Sequence, residues 1–176
     1  MRFLTKIPPD LITTRLVDSH SFLTATQLHT SLLARLSFSS LARTSYLSAR
    51  TSTIHKRARQ IVFEGNLQHY ITQLSFIYFS LMKNTVAVYQ QCFPTIMMSA
   101  VVVWAKERLD DFNGVLRRGL ESVDAGGSVE RECLEVVRGH AGMMGEVGLE
   151  FSHLIGVGLG GDGGEGEDTD VVGTAK

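Results

Sequence analysis

The sequence predicts an all-α fold: an antiparallel bundle of about four helices, followed by a disordered acidic, glycine-rich tail. Three observations predict it. Apolar residues through the middle of the chain recur at alternating spacings of three and four, the period of a helix face. Helix breakers are scarce there, with only three prolines in 176 residues. The composition then changes abruptly, since twelve of the 17 glycines fall at or after Gly139. The chain is long enough for one ordinary domain and too short for two full ones. With 44% apolar and 20% charged residues and a net charge of −1, it is neither disordered nor collagenous as a whole.

The first helix is expected from about Gln27 to Gln60. Leu47, Ile54 and Ile61 repeat every seven residues, and Arg43, Arg50 and Arg57 do so on a neighbouring stripe. Sustained sevens suit a long helix in a bundle. Glu64-Gly65-Asn66 breaks it, and Asn66 is placed to cap a second helix running from Leu67 to Cys92. Leu67, Ile71, Leu74, Tyr78, Leu81, Thr85, Val88 and Cys92 make its main stripe, which Phe76, Phe79, Val86 and Phe93 widen. A helix apolar on more than one side belongs at the centre of a bundle.

Pro94 ends this helix and opens a third, expected from Thr95 to about Val123. Val102, Ala105, Leu109, Phe112, Leu116, Leu120 and Val123 form its inner stripe, and Lys106, Asp110, Asp111, Arg117, Arg118 and Glu121 lie outside. Asp124-Ala125-Gly126-Gly127 is the turn into a fourth helix, with Ser128 as its expected cap. Its inner stripe reads Val129, Cys133, Val136, His140, Met144, Val147, Phe151 and Leu154. Gly139, Gly142, Gly145 and Gly148 point well away from that stripe, and each costs roughly 1 kcal/mol relative to Ala inside a helix. This helix should be the weakest. The chain therefore divides into a poorly ordered segment 1–26, a bundle 27–155 and a tail 156–176, whose five acids between Asp162 and Asp170 offer nothing to bury.

Residues 1–60 hold nine Lys/Arg against two acids, with nine Ser and nine Thr. That bias also fits an organelle transit segment, so a small mitochondrial helical protein is the alternative reading. The uncharged stretch 84–105 is too interrupted by Asn84, Gln90, Gln91 and Pro94 to span a membrane. Chemical motifs are nearly absent. Gly156-x-Gly158-x-x-Gly161 matches a dinucleotide fingerprint in letters only, with no strand before it and acids after it. Cys92 and Cys133 read as buried free thiols, and His140 as a satisfied core histidine. Asp110 and Asp111 are adjacent on a helix, diverge by about 100° and do not converge on one proton. No catalytic residue, metal site or cofactor is assigned. The Arg43/Arg50/Arg57 stripe has the charge to meet phosphates, but the simpler reading is a cationic face paired with acids of a neighbouring helix.

Three segments carry a family resemblance: YLSARTSTIHKRARQIVFEGNLQHYITQLSFIYFSLMKNTVAVYQQCFP (Tyr46–Pro94), MMSAVVVWAKERLDDFN (Met97–Asn113) and ECLEVVRGHAGMMGEVGLEFSHLIG (Glu132–Gly156). From Ala42 to about Gly156 the chain resembles the C-terminal helical region of the Exo-eighty-four subunit of the exocyst, fungal type. The resemblance implies a non-enzymatic, cofactor-free structural subunit of a vesicle-tethering complex, acting in exocytosis and polarised secretion. Its implied partners are other exocyst subunits rather than nucleic acid, with at most peripheral membrane association. Its implied places are the cytoplasm, secretory vesicles and sites of polarised growth. The family's coiled-coil segment and pleckstrin-homology-like domain are not in this sequence, so the chain reads as a C-terminal piece or truncated copy. Candidate core or interface residues are Leu74, Tyr78, Phe79, Trp104 and Phe112.

Overall fold

The computed structural model describes residues 27, 28, 30–32, 39–121 and 127–157. The expected disorder of 1–26 and of the tail beyond Val157, the fingerprint glycines Gly158 and Gly161, the expected end of the third helix at Val123 and the expected turn residues Asp124, Ala125 and Gly126 lie outside the described residues. Among the described residues the structure is helical, with α1 at Ser39–Ala58, α2 at Leu67–Cys92, α3 at Met98–Leu120 and α4 at Ser128–Ala141. Residues 27, 28 and 30–32 are helical as well.

Consecutive helices run antiparallel. Tyr46 and Arg50 of α1 both bond Thr85 of α2. Along α2 and α3, Tyr78 and Phe79 meet Phe112 while the Tyr89 hydroxyl reaches the Met97 carbonyl. The helices α2 and α4 are parallel neighbours: Gln68 bonds Glu132, Ser75 meets His140 and Gln90 reaches the Val147 carbonyl. Thus α2 packs against each of the other three helices and forms the centre. Its sequence explains the position, since its 26 residues carry one full charge, Lys83, and bury Ile71, Leu74, Tyr78, Phe79, Met82, Val86 and Tyr89.

The local signals around α2 act as read. Gly65 has φ +87°, where any Cβ is strained, and the Asn66 side chain accepts the His69 N–H at 3.0 Å. After Phe93, Pro94 leads into a short 3₁₀ turn, Thr95–Met97, from which α3 starts.

Five expectations fail. Val102 is exposed and Val101 buried instead. In its first half α3 packs against α1 as well as α2, and Trp104, reaching Thr51, turns the buried face that way. Phe76 is more than half exposed, its ring lying edge-on to His140 at the bundle surface. Ser128 makes no side-chain cap, because Gly127 occupies that position. The fourth helix ends at Ala141 and passes into 3₁₀ turns at Gly142–Val147 and Ser152–Leu154, with Gly148 left-handed between them. Its buried face is Cys133, Val137, Ala141 and Met144, with Val129 exposed and Val136 and His140 half-buried. The small Ala141 packs against the centre while the polar His140 keeps to the rim.

Candidate interaction surface

The sequence singled out Leu74, Tyr78, Phe79, Trp104 and Phe112, and all five are buried, none more than 5% exposed. All five belong to one buried apolar cluster. The Phe112 ring of α3 lies 5.3 Å from that of Tyr78 and 5.2 Å from that of Phe79, both in tilted or edge arrangements. Such pairs contribute about 0.5–1.5 kcal/mol beyond their buried area. At the other end of α2, Tyr46, Tyr89 and Phe93 form a second aromatic group, with Tyr89 and Phe93 stacked at 4.3 Å. Burial pushes the Tyr46 and Tyr89 hydroxyls above their ordinary pKa, so both remain neutral donors.

Two threonines join the helices. Thr51 Oγ1 accepts from Trp104 Nε1 at 2.8 Å and Arg108 Nη1 at 2.7 Å, and donates to the Leu47 carbonyl at 3.1 Å. One hydroxyl thereby uses its single hydrogen and both lone pairs. Thr85 donates to the Leu81 carbonyl and accepts from Arg50 Nε at 3.1 Å.

That second bond corrects the reading of the basic stripe. Among the described residues, Arg50 meets a hydroxyl rather than a carboxylate, Arg43 reaches Ser40, and Arg57 is exposed. The reason is simple: α2, the neighbour that Arg50 faces, contains no acid. The structure instead brings together charged residues that the heptad did not select. Arg108 Nε lies 3.1 Å from Asp111 Oδ2 and His55 Nε2 lies 3.6 Å from the same oxygen.

Ser75 and His140 lie 2.8 Å apart, a serine–imidazole contact that in another setting would suggest an activated nucleophile. Here Ser75 is fully buried and its hydroxyl also lies 3.1 Å from the Thr72 carbonyl. Its single hydrogen serves either that carbonyl or His140 Nδ1, and the direction of the Ser75–His140 bond follows the ring tautomer. Burial lowers the His140 pKa and favours the neutral ring. Both thiols are held protonated by burial, Cys92 at about 11 and Cys133 also raised, so neither is an activated nucleophile. Among the described residues no His, Cys, Asp and Glu cluster is arranged to hold a metal ion, and no helix is long and apolar enough to cross a membrane.

A cleft of about 720 Å³ lies between the end of α1 and the second half of α3. Tyr70, Leu74 and Tyr78 of α2 line it, with His55 and Arg59 on one side and Asp110, Asp111 and Arg118 on the other. A second cleft, about 420 Å³, shares Asp110 and Gly114 with it and is closed by Leu154 and Val157. Asn113 fastens that C-terminal segment, donating to the Leu154 carbonyl and accepting the Gly156 N–H.

An aromatic-seamed helical bundle with hydroxyl cross-links and surface clefts defines a helical packing module. The family described as Exocyst component 84 C-terminal matches residues 5–152, and the chain belongs to that family. The match begins well ahead of Ala42 and includes much of the segment read as a possible transit sequence. The chain is 49% identical over 144 residues to Exocyst complex component exo84 of Aspergillus fumigatus, covering 82% of this chain and 21% of that protein. The Neurospora crassa protein of the same name is 45% identical over 150 residues, 85% of this chain and 22% of that protein. Exocyst complex component 8 of Rattus norvegicus is 28% identical over 134 residues, 74% of this chain and 19% of that protein. The chain thus spans about a fifth of the length of the curated relatives it matches.

Proposed function

We propose that this chain is a non-enzymatic structural part of the exocyst vesicle tether, acting in exocytosis and polarised secretion by packing its helices against other exocyst subunits. The observation that carries the reading is the family match over residues 5–152, read with a bundle whose polar groups serve helix cross-links. Buried Ser75, protonated thiols and a basic stripe divided between Thr85, Ser40 and solvent favour packing over catalysis or nucleic-acid binding. The proposed places of action are the cytoplasm, secretory vesicles and growth sites at the plasma membrane, with at most peripheral contact to lipid. Affinity purification of the chain from its native cell, followed by mass spectrometry, tests this. Recovery of tethering subunits is expected, and recovery of mitochondrial proteins in their place would overturn it.

A further inference from the structure

The 720 Å³ cleft exists because α1 is too short. Tyr46 packs against Tyr89 and Arg50 bonds Thr85, which fixes the antiparallel register of α1 on α2. Carried forward one residue at a time, that register brings Ala58, the last residue of α1, alongside about Ile77. The first ten or so residues of α2, about 15 Å of helix, therefore have no α1 beside them. On the other wall α3 continues past the His55–Asp111 contact to Leu120. What remains is a groove between α2 and α3, in line with α1. The connecting loop covers it only in part, with Ile61 half-buried, Phe63 edge-on to Tyr70, and Val62 and Phe63 largely exposed.

The rim carries a charge preference. Arg59 and Arg118 face the cleft from opposite walls, and neither guanidinium has a hydrogen-bond or ion-pair partner among the described residues. Asp111 is engaged by Arg108 and His55, which leaves Asp110 as the remaining carboxylate of the rim. Two open guanidiniums against one carboxylate select a negatively charged visitor, and guanidinium binds carboxylate in a fixed fork.

We propose that this groove receives a short amphipathic helix of a partner protein, laid in line with α1, with apolar side chains over Tyr70 and Leu74 and carboxylates meeting Arg59 and Arg118. The inference rests on the structural-subunit reading above and names the surface through which it would work.

The test uses the full chain and a fluorescein-labelled amphipathic peptide of about 15 residues, with leucines on one stripe and glutamates beside them. A matched peptide carries lysines in place of the glutamates. Gly114→Leu plugs the groove without weakening α3: a Cβ there meets only Arg118 Nη1, at 3.8 Å, and leucine is the better helix former. Fluorescence anisotropy should show binding of the glutamate peptide, reduced about tenfold or more by Gly114→Leu and by the pair Arg59→Glu with Arg118→Glu. Equal binding of the lysine peptide, or unchanged affinity in Gly114→Leu, would overturn the proposal. So would a concentration-dependent dimer abolished by Gly114→Leu, which would make a second copy the occupant. A requirement to neutralise Asp162, Glu165, Glu167, Asp168 and Asp170 before the peptide binds would assign the groove to the chain's own tail and also overturn it. Native-cell purification separates this from the functional reading. Tethering subunits recovered equally by wild type and Gly114→Leu would refute the groove and leave the reading intact. Failure of the wild type to recover them, with peptide selectivity retained, would refute the reading and leave the groove.

Discussion

The indole Nε1–H of Trp104 donates to the Thr51 hydroxyl at 2.8 Å, tying α3 to α1 across 53 positions of sequence. Trp104 is 5% exposed and is the sole tryptophan of the chain. Thr51→Val keeps the shape and removes the acceptor, leaving a buried N–H without a partner. Arg108 loses the same acceptor but keeps Asp111. The expected loss is about 1–3 kcal/mol, seen as a lower urea midpoint with unchanged slope. Tryptophan fluorescence reads the site directly, and an unchanged midpoint would show that the bond adds nothing to the fold.

Phe79 and Phe76 are three residues apart on α2 and should behave oppositely. Phe79 is fully buried against Phe112, so Phe79→Ala should destabilise by about 3–5 kcal/mol. Phe76 is 53% exposed and touches only the His140 ring among the aromatic contacts, so Phe76→Ala should cost less than about 1 kcal/mol. Urea denaturation of both variants checks the ordering. A loss below about 1 kcal/mol for Phe79→Ala would remove α2 from the centre of the bundle.

This pair also marks where the sequence sufficed. The limits of α2 rest on local chemistry, an Asn66 cap and a Pro94 stop, and both operate within a few residues of their own backbone. The deep stripe Leu109, Phe112, Leu116 and Leu120 of α3 follows from helical period alone. Val101 and Val102 are adjacent, and which of them is buried depends on a contact between Trp104 and a residue of another helix. The absence of acids on α2 was there to be read, and it explains why Arg50 settles on Thr85. The cleft of Arg59 and Arg118 depends on the relative lengths and register of α1, α2 and α3, which no single-helix pattern contains.

Two glycines give a signed comparison. Gly65 holds φ +87° in the turn before α2, where a side chain is strained by roughly 1–2 kcal/mol. Gly139 lies inside α4, and a Cβ built there has no neighbour within 4 Å. Gly65→Ala should therefore lower stability and Gly139→Ala raise it, by up to about 1 kcal/mol. Thermal melts followed by circular dichroism distinguish them. A gain from Gly65→Ala would refute the turn geometry, and a loss from Gly139→Ala would refute the open helix face.

His140 couples the bundle to pH. Its imidazole meets buried Ser75 at 2.8 Å and stands edge-on to Phe76 at 5.7 Å, and burial lowers its folded-state pKa. The charged groups nearest in sequence on α4 are Arg138, exposed, and Glu135, exposed; from α2 the facing groups Ser75 and Phe76 are uncharged. A histidine whose folded pKa lies below its unfolded value binds protons more readily when unfolded. Its contribution is therefore fully present above the unfolded pKa, near 6.5, and is lost as pH falls from there through the depressed folded value. Denaturation midpoints for the wild type should fall between about pH 7.5 and pH 5.5. His140→Gln retains a side-chain hydrogen-bonding group for Ser75 and does not titrate, so its midpoint should fall less over the same interval. Parallel pH profiles for the two proteins would show that the fall belongs to other groups. A steeper fall in the variant would reverse the sign of the argument.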